Sequence, residues 1–497
     1  MMITAAVFAL FQQAGHLASY VQPSGEQLGA RTFADADGDG DLDLYMATLN
    51  DNGKRYIDIH YQHQGTVFSS VADEHIEIAP AVVSWNVGDF LQDESEPGCE
   101  ILMLASRGAY VRNAEGRPTL LTRAVMLLDM PSSSDLPLWP GMKDIDGDGK
   151  PEVALVTANG YLVVNHAGEQ LGRIKLKVGT DRPPVASGNY LGGLIRTTIS
   201  SQVLADLFLP NEDLGVIARP PALFSDESLP TPIWVDANGD GRMDLSYLRG
   251  VDLFLHIQDE EGKLPSEPSQ TIELPNTDDS DFEQVEWVDL GGGPAADLLL
   301  VRSSADVLRQ TRPWQARVFL DFAQSETIYE SDVFLKVDAT FLWVYFFDLD
   351  GDGQRDICLS SWALDLGFIG RNAPKVDHKV SAFLSADDTW GTRAAFTWSR
   401  TFQVDDIDQL ISMDTFVDDL TGDGKPNFLE RSKAGSLEIR RFVPSGHGVD
   451  VAEDVAAEIP VSALQATVEV IHLNDDGIGD FIVNRDSKLE IHLSYRR

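Results

Sequence analysis

A nine-residue acidic pattern, D-x-[DN]-x-D-G-x-x-[DE], recurs along the chain at a spacing near 55 residues. It reads DADGDGDLD from Asp35, DIDGDGKPE from Asp144, DANGDGRMD from Asp236 and DLDGDGQRD from Asp348. Weaker copies are DLTGDGKPN from Asp419 and HLNDDGIGD from His472. DLGGGPAAD from Asp289 keeps the frame but carries Gly291 and Gly293 where carboxylates belong, and DFLQDESEPGCE from Asp89 is a stretched form. Successive starts are separated by 54, 55, 92, 53, 59, 71 and 53 residues. Such a period marks a repeat architecture, in which each unit buries its apolar faces only against its neighbours.

The flanks identify the unit. Two residues before each copy stands an apolar residue: Phe33, Val87, Met142, Trp234, Trp287, Phe346, Val417 and Val470. After the ninth position come short apolar runs such as LYMA, VALV, LSYL, LLLV, ICLS and FIV. These are strand-length and rich in β-formers, so the acidic loop joins two strands. Segments such as YLVVNHAG and DLFLHIQD follow as third strands. A unit of this length with four short strands is one blade of an all-β propeller, and eight frames predict eight blades. Residues 16–497 are expected to form this single propeller, with insertions within 157–233 and 361–415. The stretch LADLFLPNEDLGVI lies too close to the next copy to count as a blade of its own.

In the first copy Asp35, Asp37, Asp39, Asp41 and Asp43 occupy every second position. A cation must cancel that repulsion, and Ca²⁺ takes six to eight oxygens at about 2.3–2.6 Å. Positions 1, 3, 5 and 9 can aim side-chain oxygens at one centre, position 7 offers its carbonyl, and glycine at position 6 permits the sharp turn. This nominates Asp35, Asp37, Asp39 and Asp43, with the carbonyl of Asp41. An EF-hand needs a glutamate at position 12 and flanking helices. Met46, Leu155, Tyr247 and Leu359 stand there in the strong copies, and only the copy at Asp419 has a glutamate, Glu430.

From about residue 30 onward, the loops and period resemble FG-GAP (VCBS-type) repeats, the blades of integrin-α-like propellers. The F-G and G-A-P elements of that family are poorly kept. The resemblance implies calcium ligands at Asp144, Asp146, Asp148 and Glu152 with the Lys150 carbonyl; at Asp236, Asn238, Asp240 and Asp244 with that of Arg242; and at Asp348, Asp350, Asp352 and Asp356 with that of Gln354. Weaker sets are Asp419, Thr421, Asp423 and Asn427 with the Lys425 carbonyl, and Asn474, Asp476 and Asp480. Four strong sites and up to two weaker ones are therefore expected, with no ion in the copies at Asp89 and Asp289. Integrin-like rings more often have seven blades, which stays an alternative to eight. Their calcium loops lie on the face opposite the ligand site, which makes the loops supports.

Composition narrows the function. With 79 acidic against 38 basic residues the net charge is -41, so nucleic acid and anionic membranes are poor partners. The two cysteines, Cys99 and Cys358, lack any metal or redox spacing and are expected to be buried apolar side chains. No apolar run has membrane-spanning length. The run Ile3–Phe11 resembles the core of a signal peptide over residues 1–15, although the first basic residue is Arg31. The same run could instead supply the strand that closes the ring; if it is cleaved, residues 16–30 must do so. At millimolar Ca²⁺ and a Kd of about 10⁻⁴ M, each site adds about 1.4 kcal/mol, whereas at cytosolic Ca²⁺ the sites stay nearly empty. The chain is therefore expected to be secreted or to reside in the periplasm or cell envelope, as a monomer.

No nucleophile elbow, zinc-protease helix, phosphate-binding loop or dinucleotide fingerprint is present. The histidines are scattered, and His60 and His63 read as solvated residues of a surface segment. One stretch, 371–400, departs from the acidic background with five basic against three acidic residues, and includes Trp390 and Trp398. Trp390, Arg393, Trp398 and Arg400 form a candidate site for an anionic sugar or a carboxylate-bearing partner. The alternative is that the tryptophans are blade core and the charges a solvated loop. The expected function is a non-catalytic binding or adhesion module for a glycan or extracellular protein. The alternatives are a lyase acting on acidic polysaccharide, which needs a cationic groove with a base, and an assembly scaffold.

Overall fold

The computed structural model describes residues 14–63, 67–91, 98–112, 116–126, 135–157, 159–176, 232–249, 251–274, 280–291, 293–304, 311–324, 330–365, 375–386, 389–403, 416–432, 436–446, 448–459, 467–474, 476–485 and 488–496. They form an eight-bladed β-propeller of antiparallel sheets, four-stranded except for the seventh, in which both Gly448–Val451 and Ala457–Ile459 pair with Leu437–Ser445, and each acidic frame belongs to one blade. In the first blade the order is Glu26–Ala34, Asp43–Leu49, Arg55–His60 and Glu74–Glu77, with the acidic loop between the first two strands. The fourth strands are the most exposed; the second strands are buried along both faces. LADLFLPNEDLGVI and most of the insertion predicted within 157–233 lie outside the described residues, whereas 361–415 includes Lys375–Phe383 and Phe396–Gln403, the third and fourth strands of the sixth blade.

Every second strand packs against a neighbour on each side, which is why it reads as an unbroken apolar run rather than an alternating one. Leu44 and Met46 of the first blade pack with Ile482 and Ile491 of the eighth. Tyr45 and Ala47, pointing the other way, pack with Trp85, Ile101 and Met103 of the second. Similar clusters join the fourth blade to the fifth, the sixth to the seventh and the seventh to the eighth.

The ring closes through the chain's beginning. Ala14–Val21 forms the outer strand of the eighth blade, after Thr467–Ile471, Asp480–Arg485 and Lys488–Arg496, with Ser19 opposite Ile491. The alternative source of that strand, Ile3–Phe11, lies outside the described residues. Closure leaves no dangling sheet at the joint between first and last blades. Cys358 is buried and Cys99 half-buried, and both are free thiols.

Candidate metal centres

The loop backbone is built to present carboxylates. In the loops starting at Asp35, Asp144, Asp236, Asp348 and Asp419, the position-1 carboxylate accepts amides from positions 4 and 6 at 2.5–3.0 Å. Both donors are glycines with φ between +75° and +93°, so the turn needs glycine at position 4 as well as at position 6. The position-5 carboxylate accepts the position-7 amide at 2.8–3.2 Å.

Three carboxylate clusters result, with ligand oxygens within 4.8 Å of one another: Asp35, Asp37 and Asp39; Asp144, Asp146 and Glu152; Asp348, Asp350 and Asp356. Each oxygen that accepts an amide keeps lone-pair capacity, and an all-oxygen donor set suits a hard divalent cation such as Ca²⁺. Burial, then Asp39, holds the Asp37 carboxyl above its ordinary range, and burial, then Asp352, does the same to Asp350.

Two loops carry their own cation. Arg242 reaches the position-5 carboxylate of its own loop, Nη2 donating to Asp240 Oδ2 at 2.6 Å, while Asn238 Nδ2 donates to the same oxygen at 3.0 Å. In the seventh blade, where Thr421 and Asn427 replace carboxylates, Arg441 enters from the third strand directly opposite Asn427. Its Nε lies 3.2 Å from Asp423 Oδ2 and 3.4 Å from Thr421 Oγ1. Spacing within the motif gave no sign of Arg441, which comes from outside the frame. In the eighth loop Asn474 Oδ1 accepts the Asp476 amide at 3.1 Å and Asp476 accepts the Ile478 amide at 2.8 Å.

Position 9 does something every blade needs. Asp43, Glu100, Glu152, Asp244, Asp297, Asp356, Asn427 and Asp480 each accept the position-2 amide of their own loop at 2.7–3.1 Å. In five blades the second oxygen accepts an amide at 2.6–2.8 Å, from Gln62, Gln258, Asp321 or Ser385 just beyond the third strand or from Ser494 within it. Burial pushes Asp43, Asp244, Asp297 and Asp480 up to about 6, and Glu152 and Asp356 up to about 7, against the pull of the amides they accept. The frames at Asp89 and Asp289 keep this clasp, although Gly291 and Gly293 stand at positions 3 and 5 of the latter.

The loops also bind one another around one face of the ring. The Cys99 amide donates to the Asp35 carbonyl at 2.7 Å, Met243 to Ile145 at 3.2 Å, Ala296 to Asp236 at 3.1 Å and Gly479 to Asp419 at 2.6 Å. Each bond runs from the end of one loop to the start of the preceding one. Lys425 Nζ adds a bond to the Asp350 carbonyl at 2.6 Å, and Lys150 Nζ lies 3.7 Å from Asp89.

The basic and aromatic residues of 371–400 do not converge. Trp398 packs between the sixth and seventh blades, edge-on to Phe428, and Arg400 pairs with Glu430 of the seventh blade. Trp390 lies at the loop end, its Nε1 donating to the Arg355 carbonyl at 3.1 Å, and Arg393 is exposed. Arg371 lies outside the described residues. His60 corrects an expectation: it ends a third strand, wholly buried, with Nδ1 2.9 Å from the Ser69 carbonyl oxygen, whereas His63 is exposed. His256 and His492 stand in the same register of the third strands of their blades, a repeat visible in the sequence as YIDIH, LFLH and LEIH.

A serine, a histidine and an aspartate that the sequence keeps far apart meet in the first blade. His75 Nδ1 lies 2.6 Å from Asp58 Oδ1 and 3.2 Å from Ser24 Oγ, while Ser24 Oγ donates to the same Asp58 oxygen at 2.9 Å. One ring nitrogen faces both partners, so this histidine cannot be held by the aspartate through one nitrogen while serving the serine with the other.

No protein-family model matches this chain, and comparison with curated proteins returns no match. Among the described residues, no helix is long and apolar enough to cross a membrane.

Proposed function

We propose that this chain is an extracytoplasmic, calcium-stabilised propeller of the FG-GAP (VCBS-type), integrin-α-like kind, acting as a non-catalytic binding module for a glycan or a protein ligand. The observation that carries this reading is the belt of acidic loops. Their carboxylates are tied to their own backbone amides, and each loop start receives an amide from the next blade in four places. A cation there reinforces joints between blades, a supporting role that leaves the rest of the ring's surface for ligands. Occupancy demands millimolar calcium for sites of ordinary extracellular affinity, which favours a location outside the cytoplasm.

The test is retention of the calcium-loaded protein on immobilised neutral polysaccharides, acidic polysaccharides and extracellular-protein fractions, with and without chelator. Retention lost on chelation supports the binding role. Release of unsaturated sugar products from an acidic polysaccharide would replace it with a lyase. Failure on every surface would leave an assembly scaffold.

A further inference from the structure

We propose that the flank of the fifth blade, on the side that meets the fourth, carries an anion site for the carboxylate or sulfate group of an acidic glycan, built from Arg317 and Lys336 with Arg302 as a buried support. This rests on the reading of the chain as a binding propeller and names a site and a ligand class for it.

The fifth blade runs through Ser280–Val288, Asp297–Ser304, Arg312–Phe319 and Val333–Ala339. Strand pairing sets Leu298 opposite Phe319, Leu300 opposite Arg317 and Arg302 opposite Gln315. It then sets Phe334 opposite Arg317 and Lys336 opposite Gln315. Residues paired in this way, and those two apart along a strand, share one face of the sheet. Near the acidic loop that face is apolar: Leu298, Leu300 and Phe319 pack with Leu248, Leu253 and Leu274 of the fourth blade. Farther from the loop and towards the outer strand, the same face turns cationic with Arg302, Arg317 and Lys336. The Phe334 ring gathers two of these charges, with Arg317 Cζ and Lys336 Nζ each 4.9 Å from its centroid.

Charge selects the ligand. In a chain with 79 acidic against 38 basic residues, Arg317 and Lys336 make no ion pair among the described residues, whereas Lys54, Lys175 and Arg400 each face a carboxylate. Arg317 Nε is enclosed without an acceptor, and its Nη2 reaches only the neutral Gln315 Oε1, at 3.5 Å. Arg302 is buried on the same face, and burial followed by the Arg317 charge pulls it below its ordinary range. Among the described residues of these strands, Asp338 is the one carboxylate on this face, opposite Pro313. The fourth blade turns Asp252 and Glu273 away, because they alternate with Leu253 and Ile272, which pack towards the fifth. Cations gathered on a partly buried face call for an anion, and a guanidinium fork matches a carboxylate. These groups project from the sheet face, so a peptide adding a strand along the free edge of Val333–Ala339 would pass them by. Lys336 is exposed on a flexible stem and can leave the ring for the anion, and Phe334, 45% exposed, then seats the carbon face of a sugar beside it.

The experiment uses the full chain, calcium-loaded at physiological salt, and measures binding by calorimetry. The probes are a galacturonate hexasaccharide, a sulfated galactose hexasaccharide, the same galactose hexasaccharide without sulfate, and hexaglutamate. At least one acidic saccharide is expected to bind, and the tighter of the two identifies the anion as carboxylate or sulfate. Lys336→Gln and Arg317→Gln are each expected to weaken that binding about five- to tenfold. Lys263→Gln, which removes the same charge from an exposed turn of the fourth blade, is expected to leave it unchanged. Lys336 is exposed, so its substitution decides the matter even if Arg317→Gln fails to fold. Equal affinity for the uncharged hexasaccharide, preference for hexaglutamate, or the same response in Lys336→Gln and Lys263→Gln overturns the assignment. If neither acidic saccharide binds while calcium-dependent retention on a neutral glycan or protein surface persists, only this site fails. If retention is absent as well, the binding reading falls with it.

Discussion

The Asp297 carboxylate accepts the Leu290 amide at 2.8 Å across a loop that has Gly291 and Gly293 where other copies carry carboxylates. Its other oxygen accepts the Asp321 amide at 2.8 Å. The ninth residue of the motif is thus a fold determinant first and a ligand second. Asp297→Ala leaves one buried and one half-buried amide without an acceptor, at about 1–3 kcal/mol each, so a loss of about 2–6 kcal/mol is expected in denaturant unfolding. The loss should be the same in calcium and in chelator. A change below about 0.5 kcal/mol, the scatter of neutral surface substitutions, would show that the clasp is dispensable.

The same residue gives a pH signature. Burial raises Asp297 to about 6, above the ordinary carboxylate range, so between about pH 4 and 6 the folded chain keeps a proton that the unfolded chain has released. Its contribution to stability therefore falls as pH rises through that window and is level above it. Asp297→Asn removes this component, and comparing unfolding free energies of the two proteins across pH 4–7 isolates it. Parallel curves would contradict the assignment.

Calcium should reverse the sign of a mutation. Asp37 is held above its ordinary range by burial and then by Asp39. In chelator, Asp37→Ala is expected to be neutral or stabilising because it relieves that crowding. At millimolar calcium it should forfeit about 1.4 kcal/mol and one equivalent of bound ion. Asp146→Ala and Asp350→Ala should also each forfeit one equivalent of bound ion, read by equilibrium dialysis and by melting temperature with and without calcium.

The seventh loop should behave differently, because Arg441 already faces Asp423 at 3.2 Å. It is expected to take up no calcium in the unmodified chain. Arg441→Gln should cost about 1 kcal/mol in chelator, within the range of partly exposed ion pairs, and add a weak calcium equivalent. Full occupancy of this loop in the unmodified chain would refute the substitution of guanidinium for metal.

Much of the architecture was legible from local order. The acidic frame recurs with every blade, and the apolar runs after it are the second strands, continuous because both sheet faces are covered. The loop's carboxylates and its position-6 glycine could be named because a tight turn relates positions by spacing alone. The burial of His60 is not legible from its polar sequence neighbours, because the Ser69 carbonyl beside its Nδ1 comes from a later segment.

What the chain could not declare locally is everything made between distant segments. Ser24, Asp58 and His75 meet across the first blade, and Arg441 supplies a charge to a loop whose frame omits it. The repeat, the strand pattern and the acidic turns are written locally in the chain, because they depend on backbone preference and nearest-neighbour charge. Which carboxylates stay available to a cation is settled between segments distant in the chain. It depends on the partner that the fold places within a few ångströms, as Arg441 is placed beside Asp423, and no spacing along the chain encodes that distance.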